Sequence, residues 1–359
     1  MRVYNFNPGP STLPTEVLEK VQAELLDYQG KGLSVMEMSH RSPEFSDILA
    51  RAKQNLRDVM KINDNYEILF LQGGASLQFF MLPMNFLSPE TKADYIDTGS
   101  WASKAVKEAR PFGSINVIFS GKNENYSRIP SWNNLPFSDD ALYCHITSNN
   151  TIYGTQYKDY GNPGGPKLVA DMSSDIMTRS FDIEKFSMIY AGAQKNLGPS
   201  GVTLVIIRKD FAAKAKSDIP TLLQYKTHIE KDSLYNTPPT FAIYLVMCIT
   251  EWAVKKGGID ALEKECRVKA GMVYETVDGT DFYIPTASKD SRSLTNITFR
   301  LKNEALEKIF IEEAKKEKLI GLKGHRSVGG IRVSNYSAMS LKGIQTLVDF
   351  MKDFEKRNT

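Results

Sequence analysis

The chain has 359 residues, and its 45 lysines and arginines nearly balance its 42 aspartates and glutamates, which leaves a formal net charge of +3. Hydrophobic residues make up 42% and charged residues 24%, a composition typical of a folded globular protein that excludes a mostly disordered chain. So small a net charge also argues against a protein that binds nucleic acid mainly by electrostatic attraction.

Cysteine usage and the N-terminal segment predict a cytoplasmic protein. Cys144, Cys248 and Cys266 are widely spaced, so they form neither a metal-binding pair nor a disulfide set, and no metal site is expected. The N-terminal segment lacks the apolar core of a signal peptide. The longest apolar run, residues 241–249, is far shorter than the roughly 20 residues that span a bilayer.

Strands and helices are predicted to alternate through the first 258 residues. After an extended segment at Pro8-Gly9-Pro10, helical periodicity covers residues 16–28, and a second helix begins after Ser42-Pro43, a typical N-cap and first helical residue. Short apolar strands separated by helices favour a mostly parallel sheet covered by helices. The predicted strands are 67–71, 93–97, 115–119, 142–146, 167–171, 188–191 and 202–208, and further helices follow Gly74 and cover 102–110 and 241–256.

The pattern changes after Gly257 and Gly258. A helix at 259–276 is followed by strands at 294–301 and 330–335 and by helices at 304–318 and 341–354. We therefore predict an α/β fold with a mostly parallel, helix-flanked sheet and a smaller α+β domain. Its parts would be an extended N-terminal arm (1–15), a large cofactor-binding domain (16–258) and a small C-terminal domain (259–359).

Lys195 lies between two apolar strands, in the run Gln194-Lys195-Asn196, and is followed by a Gly-Pro-Ser-Gly turn. A lysine whose stem is buried loses proton affinity, which a Schiff-base lysine requires. Asp171 ends an upstream strand, and ligands of open α/β sheets bind beyond the carboxyl ends of strands. A lysine for the aldehyde and an acid for the pyridine nitrogen suit pyridoxal 5′-phosphate (PLP). Taken singly, the two residues also fit a solvated hairpin lysine and a strand-end turn.

Gly73 and Gly74 stand between a predicted strand and a predicted helix. Glycines allow the backbone to approach a phosphate closely, and the N-terminus of a helix offers free N–H groups and the positive end of a dipole. The pair therefore suggests a phosphate-binding loop, although a Gly-Gly after a strand is more often only a turn.

Eight motifs stand in order along the chain: Asn7-Pro8-Gly9-Pro10, Ser39-His40-Arg41, Gly73-Gly74-Ala75-Ser76, Trp101, Val169-Ala170-Asp171, Gln194-Lys195-Asn196, Tyr235-Asn236-Thr237-Pro238-Pro239 and His325-Arg326. Together they resemble the phosphoserine aminotransferases, fold-type I PLP enzymes that are grouped with the class V aminotransferases. The resemblance covers essentially the whole chain, and its motifs keep their spacing.

The resemblance implies a role for each cofactor-site residue. Lys195 would form the Schiff base and then shuttle a proton, and Asp171 would pair with the pyridinium nitrogen. Trp101 would stack on the cofactor ring, and Thr151 would bond its 3′-oxygen. The residues expected to hold the phosphate are Ala75, Ser76, Gln194 and, from a neighbouring subunit, Asn236 and Thr237. Some members of the family have an arginine where this chain has Ser76, which puts the affinity for the cofactor in question.

The substrate residues implied by the resemblance are cationic. Arg332 would bind the substrate α-carboxylate. The distal phosphate, or the side-chain carboxylate of glutamate, would be bound by His40, Arg41, His325 and Arg326, some of them from the partner subunit. Arginine suits this task because its guanidinium binds carboxylate and phosphate in a forked geometry.

The expected reaction is a ping-pong transfer of the amino group from L-glutamate to 3-phosphohydroxypyruvate, giving O-phospho-L-serine and 2-oxoglutarate. This is a step of serine biosynthesis, and some family members also act in pyridoxine biosynthesis by forming 4-phosphohydroxythreonine. We expect a homodimer with shared active sites and neither a nucleic-acid nor a membrane partner. Two alternatives remain: an aminotransferase for a non-phosphorylated amino acid, and a non-catalytic protein that binds a phosphorylated ligand. A cysteine desulfurase is disfavoured, because each cysteine lies in a predicted strand or helix.

Overall fold

A computed structural model describes residues 2–165 and 167–359 of the chain. Its strands are β1 (Tyr4–Asn5), β2 (Tyr66–Leu71), β3 (Lys92–Asp97), β4 (Ser114–Ser120), β5 (Ala141–Thr147), β6 (Asn149–Asn150), β7 (Thr155–Gln156), β8 (Lys167–Asp171), β9 (Phe186–Gly192), β10 (Thr203–Arg208), β11 (Tyr283–Pro285), β12 (Asn296–Leu301), β13 (Leu319–Ile320) and β14 (Ile331–Ser334). Its α-helices are α1 (Thr15–Ala23), α2 (Pro43–Met60), α3 (Gly74–Phe86), α4 (Ser100–Ala109), α5 (Lys209–Ala212), α6 (Tyr225–Glu230), α7 (Thr240–Lys255), α8 (Gly258–Asp278), α9 (Ala305–Lys316) and α10 (Leu341–Asn358).

A seven-stranded sheet forms the centre of the molecule, with the strand order β2-β10-β9-β8-β5-β3-β4. Its strands are parallel except for β10, which runs antiparallel to both of its neighbours, β2 and β9. This confirms the predicted α/β class with a mostly parallel sheet. Because β8 and β9 are parallel neighbours, the end of β8 at Asp171 and the loop that follows β9 meet at the same edge of the sheet.

Helices cover both faces of this sheet. Successive residues of a strand point to opposite faces, so Ile68 and Phe70 of β2 join the core beneath α2 and α7, whereas Leu69 and Leu71 join the core beneath α3 and α4. Both faces are therefore apolar, which explains why these strands are nearly continuous hydrophobic runs rather than alternating ones.

The C-terminal part has a sheet and a core of its own. Strands β11, β12 and β14 form an antiparallel sheet, and a cluster that includes Phe299, Phe310 and Phe354 packs between it and the helices. The N-terminal strand β1 pairs with β13, and Phe6 is buried in this C-terminal core. Helix α8 contributes residues both to this core and to the core beneath α2 and α7. The domain boundary at residue 258 therefore remains a prediction.

The largest difference from the predicted elements concerns the first helix. It was expected to reach Tyr28 but ends at Ala23, and a 3₁₀ turn follows at Tyr28–Gly30. Leu25 and Leu26, which lie between the two, are exposed, Leu26 by 85%, so apolar spacing here does not reflect a buried helical face. The short strands β1, β6, β7, β11 and β13 were not predicted, because two or three residues carry no periodic signal. Among the described residues, no helix is both long and apolar enough to cross a membrane.

Candidate active site

A cavity of about 260 Å³ opens at the edge of the central sheet where β8 and β9 end. It is bounded by the N-termini of α3 and α4, by the loop between β9 and β10, and by residues of the C-terminal part. The sequence-predicted residues that line it are Ala75, Ser76, Trp101, Thr151, Asp171, Gln194, Lys195, His325 and Arg332. Residues from distant parts of the chain thus meet in one concave site.

Lys195 lies in the tight loop between β9 and β10. Two backbone hydrogen bonds to Ala193 O, from Leu197 N at 3.1 Å and Gly198 N at 2.9 Å, fix this loop. The aliphatic stem of Lys195 packs closely against Gly9, because a Cβ on that glycine would lie 3.1 Å from Lys195 Cγ. Burial lowers the pKa of Lys195 to about 8; nearby Asp171 opposes this shift and Arg332 adds to it. A neutral, nucleophilic amine is therefore accessible near neutral pH.

Asp171 is 5% exposed and is positioned by the turn that follows β8. Its Oδ1 accepts a hydrogen bond from Ser173 N at 2.9 Å, and Ser173 Oγ accepts one from Gly192 N at 3.0 Å. Burial raises the pKa of Asp171, while the bond from Ser173 and the charge of Lys195 oppose the shift. A protonated ring nitrogen would suit this buried carboxylate. Attraction to that cation would offset the free-energy cost of removing the carboxylate from water.

Trp101 and Thr151 form one wall of the cavity. The indole Nε1 donates to Thr151 Oγ1 at 3.0 Å, and the ring centroid lies 5.9 Å from Lys195 Nζ. The backbone oxygen of Thr151 accepts a hydrogen bond from Arg332 Nη1 at 3.1 Å. The hydrogen bond to Trp101 fixes the ring beside the amine, where it can stack on a flat cofactor.

The N-terminus of α3 suits a phosphate group. Gly73 and Gly74 have φ values of +86° and +67°, a region that favours glycine. A Cβ on Gly73 would lie 2.5 Å from Leu77 Cδ2, so no other residue fits there without a shift. No acidic residue stands in the first turn of the helix. The backbone N–H groups of that turn and the positive end of the helix dipole therefore face the cavity without a competing carboxylate.

Arg332 is a buried cation without a counter-ion. It lies on β14 and is 6% exposed, and no described carboxylate pairs with it. Its buried Nε has no hydrogen-bond partner among the described residues. Burial lowers its pKa, yet a guanidinium stays protonated. A charge in this position calls for an anionic ligand.

Five of the predicted residues do not line this cavity: His40, Arg41, Asn236, Thr237 and Arg326. His40 is partly buried in the turn before α2, with an unpartnered Nε2, and the other four are exposed. Asn236 instead lines a second cavity of about 330 Å³, together with Gly73 and Leu77. A single chain therefore does not bring these five side chains around Lys195.

Sequence reasoning missed further residues that line the cavity: Phe79, Thr147, Asn149, Ser173 and Ser174. The two serines could have been found, because they directly follow Asp171 in the turn after its strand. Phe79 carries no such signal, since its orientation toward the cavity depends on how α3 packs on the sheet.

Comparison with known proteins gives concordant matches. The sequence profile of the family "Aminotransferase class-V" matches residues 3–347. A curated phosphoserine aminotransferase of Lysinibacillus sphaericus (strain C3-41) is 54% identical over 358 residues, which cover 99% of each chain. The structure of the phosphoserine aminotransferase from Bacillus circulans subsp. alkalophilus superposes with a TM-score of 0.98 at 47% identity, covering 100% of this chain and 99% of that one. The PLP-bound phosphoserine aminotransferase of Trichomonas vaginalis matches with a TM-score of 0.93 at 35% identity, covering 98% of this chain and 100% of that one.

Proposed function

The chain belongs to the class-V aminotransferase family, and we propose that it catalyses the phosphoserine aminotransferase reaction. L-glutamate and 3-phosphohydroxypyruvate would give O-phospho-L-serine and 2-oxoglutarate, a step of serine biosynthesis. The observation that carries this proposal is the shared cavity of Lys195, Asp171 and Arg332. It combines a lysine of lowered pKa, a buried acid and an unpaired cation.

The cofactor is PLP, as in the related enzymes. When bound, it supplies an electron-accepting ring that stabilises negative charge on the substrate Cα. The residues that would hold it are those whose geometry fits each part of it. The first turn of α3 suits the phosphate, Trp101 the ring face, Thr151 the 3′-oxygen and Asp171 the pyridine nitrogen.

Three side chains of the protein would carry out the proton transfers and bind the substrate. The Lys195 amine would bind the cofactor aldehyde and, once the substrate amine has displaced it, would move the proton from the substrate Cα to the cofactor C4′; in the second half-reaction it would move a proton in the opposite direction. Asp171 keeps a proton on the ring nitrogen. Arg332 binds the substrate α-carboxylate, which fixes the Cα–H bond with respect to the amine.

The working unit would be a homodimer whose subunits complete each other's sites. Asn236 and Thr237 would serve the cofactor phosphate, and His40 and Arg41 the substrate, from the neighbouring chain. Their position outside the cavity of their own chain supports this arrangement. So does the exposure of large apolar side chains such as Leu26, Met36 and Leu222, which a second chain would cover.

Cysteine chemistry is a poor alternative in this fold. All three cysteines are buried, and burial raises the pKa of each thiol, that of Cys248 to about 11. A desulfurase needs a mobile, reactive thiolate, and none of these side chains provides one.

A coupled assay with O-phospho-L-serine and 2-oxoglutarate tests the proposal, with Arg326→Ala measured beside the wild type. We expect the variant to lose at least about tenfold in kcat/KM for phosphoserine, the scale of one charge-assisted hydrogen bond. Lys323→Ala, an exposed neighbour in the same loop, is the control and should remain near wild type.

Two results would contradict the proposal. Activity on L-serine or L-alanine without activity on phosphoserine would favour an aminotransferase for non-phosphorylated substrates. A colourless protein that cannot be loaded with PLP would favour a binding protein for a phosphorylated ligand.

A further inference from the structure

Lys104 is a cation beside the cavity that the proposed reaction has not yet used. It follows Trp101 by three residues on α4, so both side chains lie on the same face of the helix. The side chain is exposed, and its Nζ lies 4.3 Å from the centroid of the Trp101 ring. No described carboxylate forms an ion pair with it.

The charge of Lys104 acts on His325, which lies in a different part of the chain. His325 lines the cavity from the loop before β14, and its pKa is lowered by burial and then by Arg332, Arg326 and Lys104. Lys104 therefore lies close to residues more than 200 positions away along the chain. Two separate parts of the fold present positive charge to one opening.

Few of the described carboxylates offset this positive charge at the cavity. Among the described residues that line the cavity, Asp171 is the only carboxylate, and its charge already acts on Lys195. The cations that line it are Lys195 and Arg332, and Lys104 lies beside it against the Trp101 ring. Like charges held together at a water-accessible cleft attract anions and favour the one that carries the larger charge.

We propose that Lys104 is a specificity-determining residue whose ammonium group binds the phosphate end of the substrate beside Trp101. The inference rests on the proposed function. A phosphate group carries nearly two negative charges near neutral pH and a carboxylate only one. Lys104 therefore favours phosphoserine over glutamate in the pocket that serves both substrates.

The test compares Lys104→Met with Lys104→Arg in the PLP-loaded enzyme. Methionine keeps an unbranched stem against the indole and removes the charge, whereas arginine keeps the charge. Each half-reaction is followed in a single turnover by the cofactor absorbance, once with O-phospho-L-serine and once with L-glutamate. The competitive inhibition constant of inorganic phosphate gives a readout that does not depend on turnover.

We expect Lys104→Met to raise the apparent dissociation constant of phosphoserine and the inhibition constant of phosphate by about three- to fivefold, the upper range for one exposed charge. The constant for glutamate should change less than about twofold, and added salt should reduce the difference from wild type. Lys104→Arg should remain near wild type, as should Lys107→Met, which removes an exposed charge from the same helix.

Three results would overturn the inference. Unchanged phosphoserine and phosphate constants in Lys104→Met would remove Lys104 from the substrate site. Equal losses for both substrates, with a shifted cofactor spectrum, would show that Lys104 only positions Trp101. A wild-type enzyme that turns over glutamate but not phosphoserine would overturn the proposed function together with this inference.

Discussion

At the scale of single residues, the surroundings of Lys195 determine its chemistry. The side chain is an ordinary lysine, but burial lowers its pKa to about 8, and its charged neighbours act in opposite directions. Asp171 and Asp175 raise the lysine pKa, and Arg332 lowers it. The tendency of Lys195 to lose its proton therefore depends in part on Asp171 and Arg332, which have other roles in the proposed reaction.

The pH dependence of cofactor loading tests this balance. Only the neutral amine attacks the PLP aldehyde, so the loading rate of cofactor-free enzyme should rise with pH and level off above about 8. Arg332→Met removes a positive charge and should move the midpoint to higher pH, whereas Asp171→Asn should move it to lower pH. Stopped-flow absorbance at several pH values measures the midpoint. Equal midpoints in all three proteins would contradict the assignment of these charges.

The same pKa has a consequence for stability. Between about pH 8 and the ordinary value of 10.5, the unfolded chain binds the proton that the folded chain has lost. The contribution of Lys195 to the free energy of unfolding therefore rises with pH across this window. Urea unfolding of the cofactor-free enzyme and of Lys195→Met would show this as a difference in slope against pH.

At the scale of elements, the junction between β2 and α3 is the proposed phosphate-binding loop. Strand β2 belongs to the central sheet. The two glycines that follow it have positive φ and turn the chain, so that α3 begins at the cavity. The backbone, rather than a charged side chain, then faces the phosphate, which is consistent with Ser76 standing where some relatives have an arginine.

Gly73→Ala should disturb this junction in two ways. The new Cβ would lie 2.5 Å from Leu77 Cδ2, and the residue would have to adopt φ +86°. We expect a loss of about 1–3 kcal/mol in the free energy of unfolding and PLP binding weakened by about tenfold or more, because N–H groups that bind the phosphate would shift. Urea unfolding and a PLP titration measure the two effects.

Gly32→Ala provides the matched control. Gly32 also has a positive φ, +72°, but a Cβ there would meet nothing within 4 Å. This variant should lose only the cost of the backbone conformation, about 1 kcal/mol, and should bind PLP normally. If Gly73→Ala bound PLP as tightly as this control does, the α3 N-terminus would not be the phosphate site.

At the scale of the whole molecule, one chain supplies the cavity but not every expected side chain. Arg41, Asn236 and Thr237 are exposed and lie outside the cavity that contains Lys195. A homodimer explains both facts if each subunit lends these residues to the other. Strand β1 pairs with β13, so the N-terminal arm also contacts the C-terminal part of its own chain.

Mixing two inactive variants tests the shared site. Lys195→Ala and Arg41→Ala should each lack turnover, but a mixed dimer would contain one site with an intact Lys195 and a partner's intact Arg41. Unfolding and refolding an equal mixture should therefore restore about one quarter of the wild-type activity, because half of the dimers are mixed and one of their two sites is complete. No recovery in a refolded mixture that is dimeric would contradict the shared site.

Local sequence patterns predicted most of the long helices and strands and the family. Apolar runs placed the strands of the central sheet within one or two residues, and the Ser42-Pro43 signal placed the start of α2, where Ser42 Oγ accepts a hydrogen bond from Phe45 N at 3.2 Å. Motif order indicated the family, which the comparisons confirm. These features are local, since periodicity, capping and motif spacing are all encoded within a few tens of residues.

Which of the candidate residues meet depends on the tertiary structure. It placed Arg332 without a counter-ion beside Lys195, brought Lys104 within electrostatic reach of His325, and left Arg41 outside the cavity. The meeting of Arg332 with Lys195 depends on how the C-terminal part packs against the central sheet and its helices. No local pattern carries that information, because such contacts arise from burying apolar surface over the whole chain. The near-zero net charge likewise could not show that positive charge is concentrated at one opening.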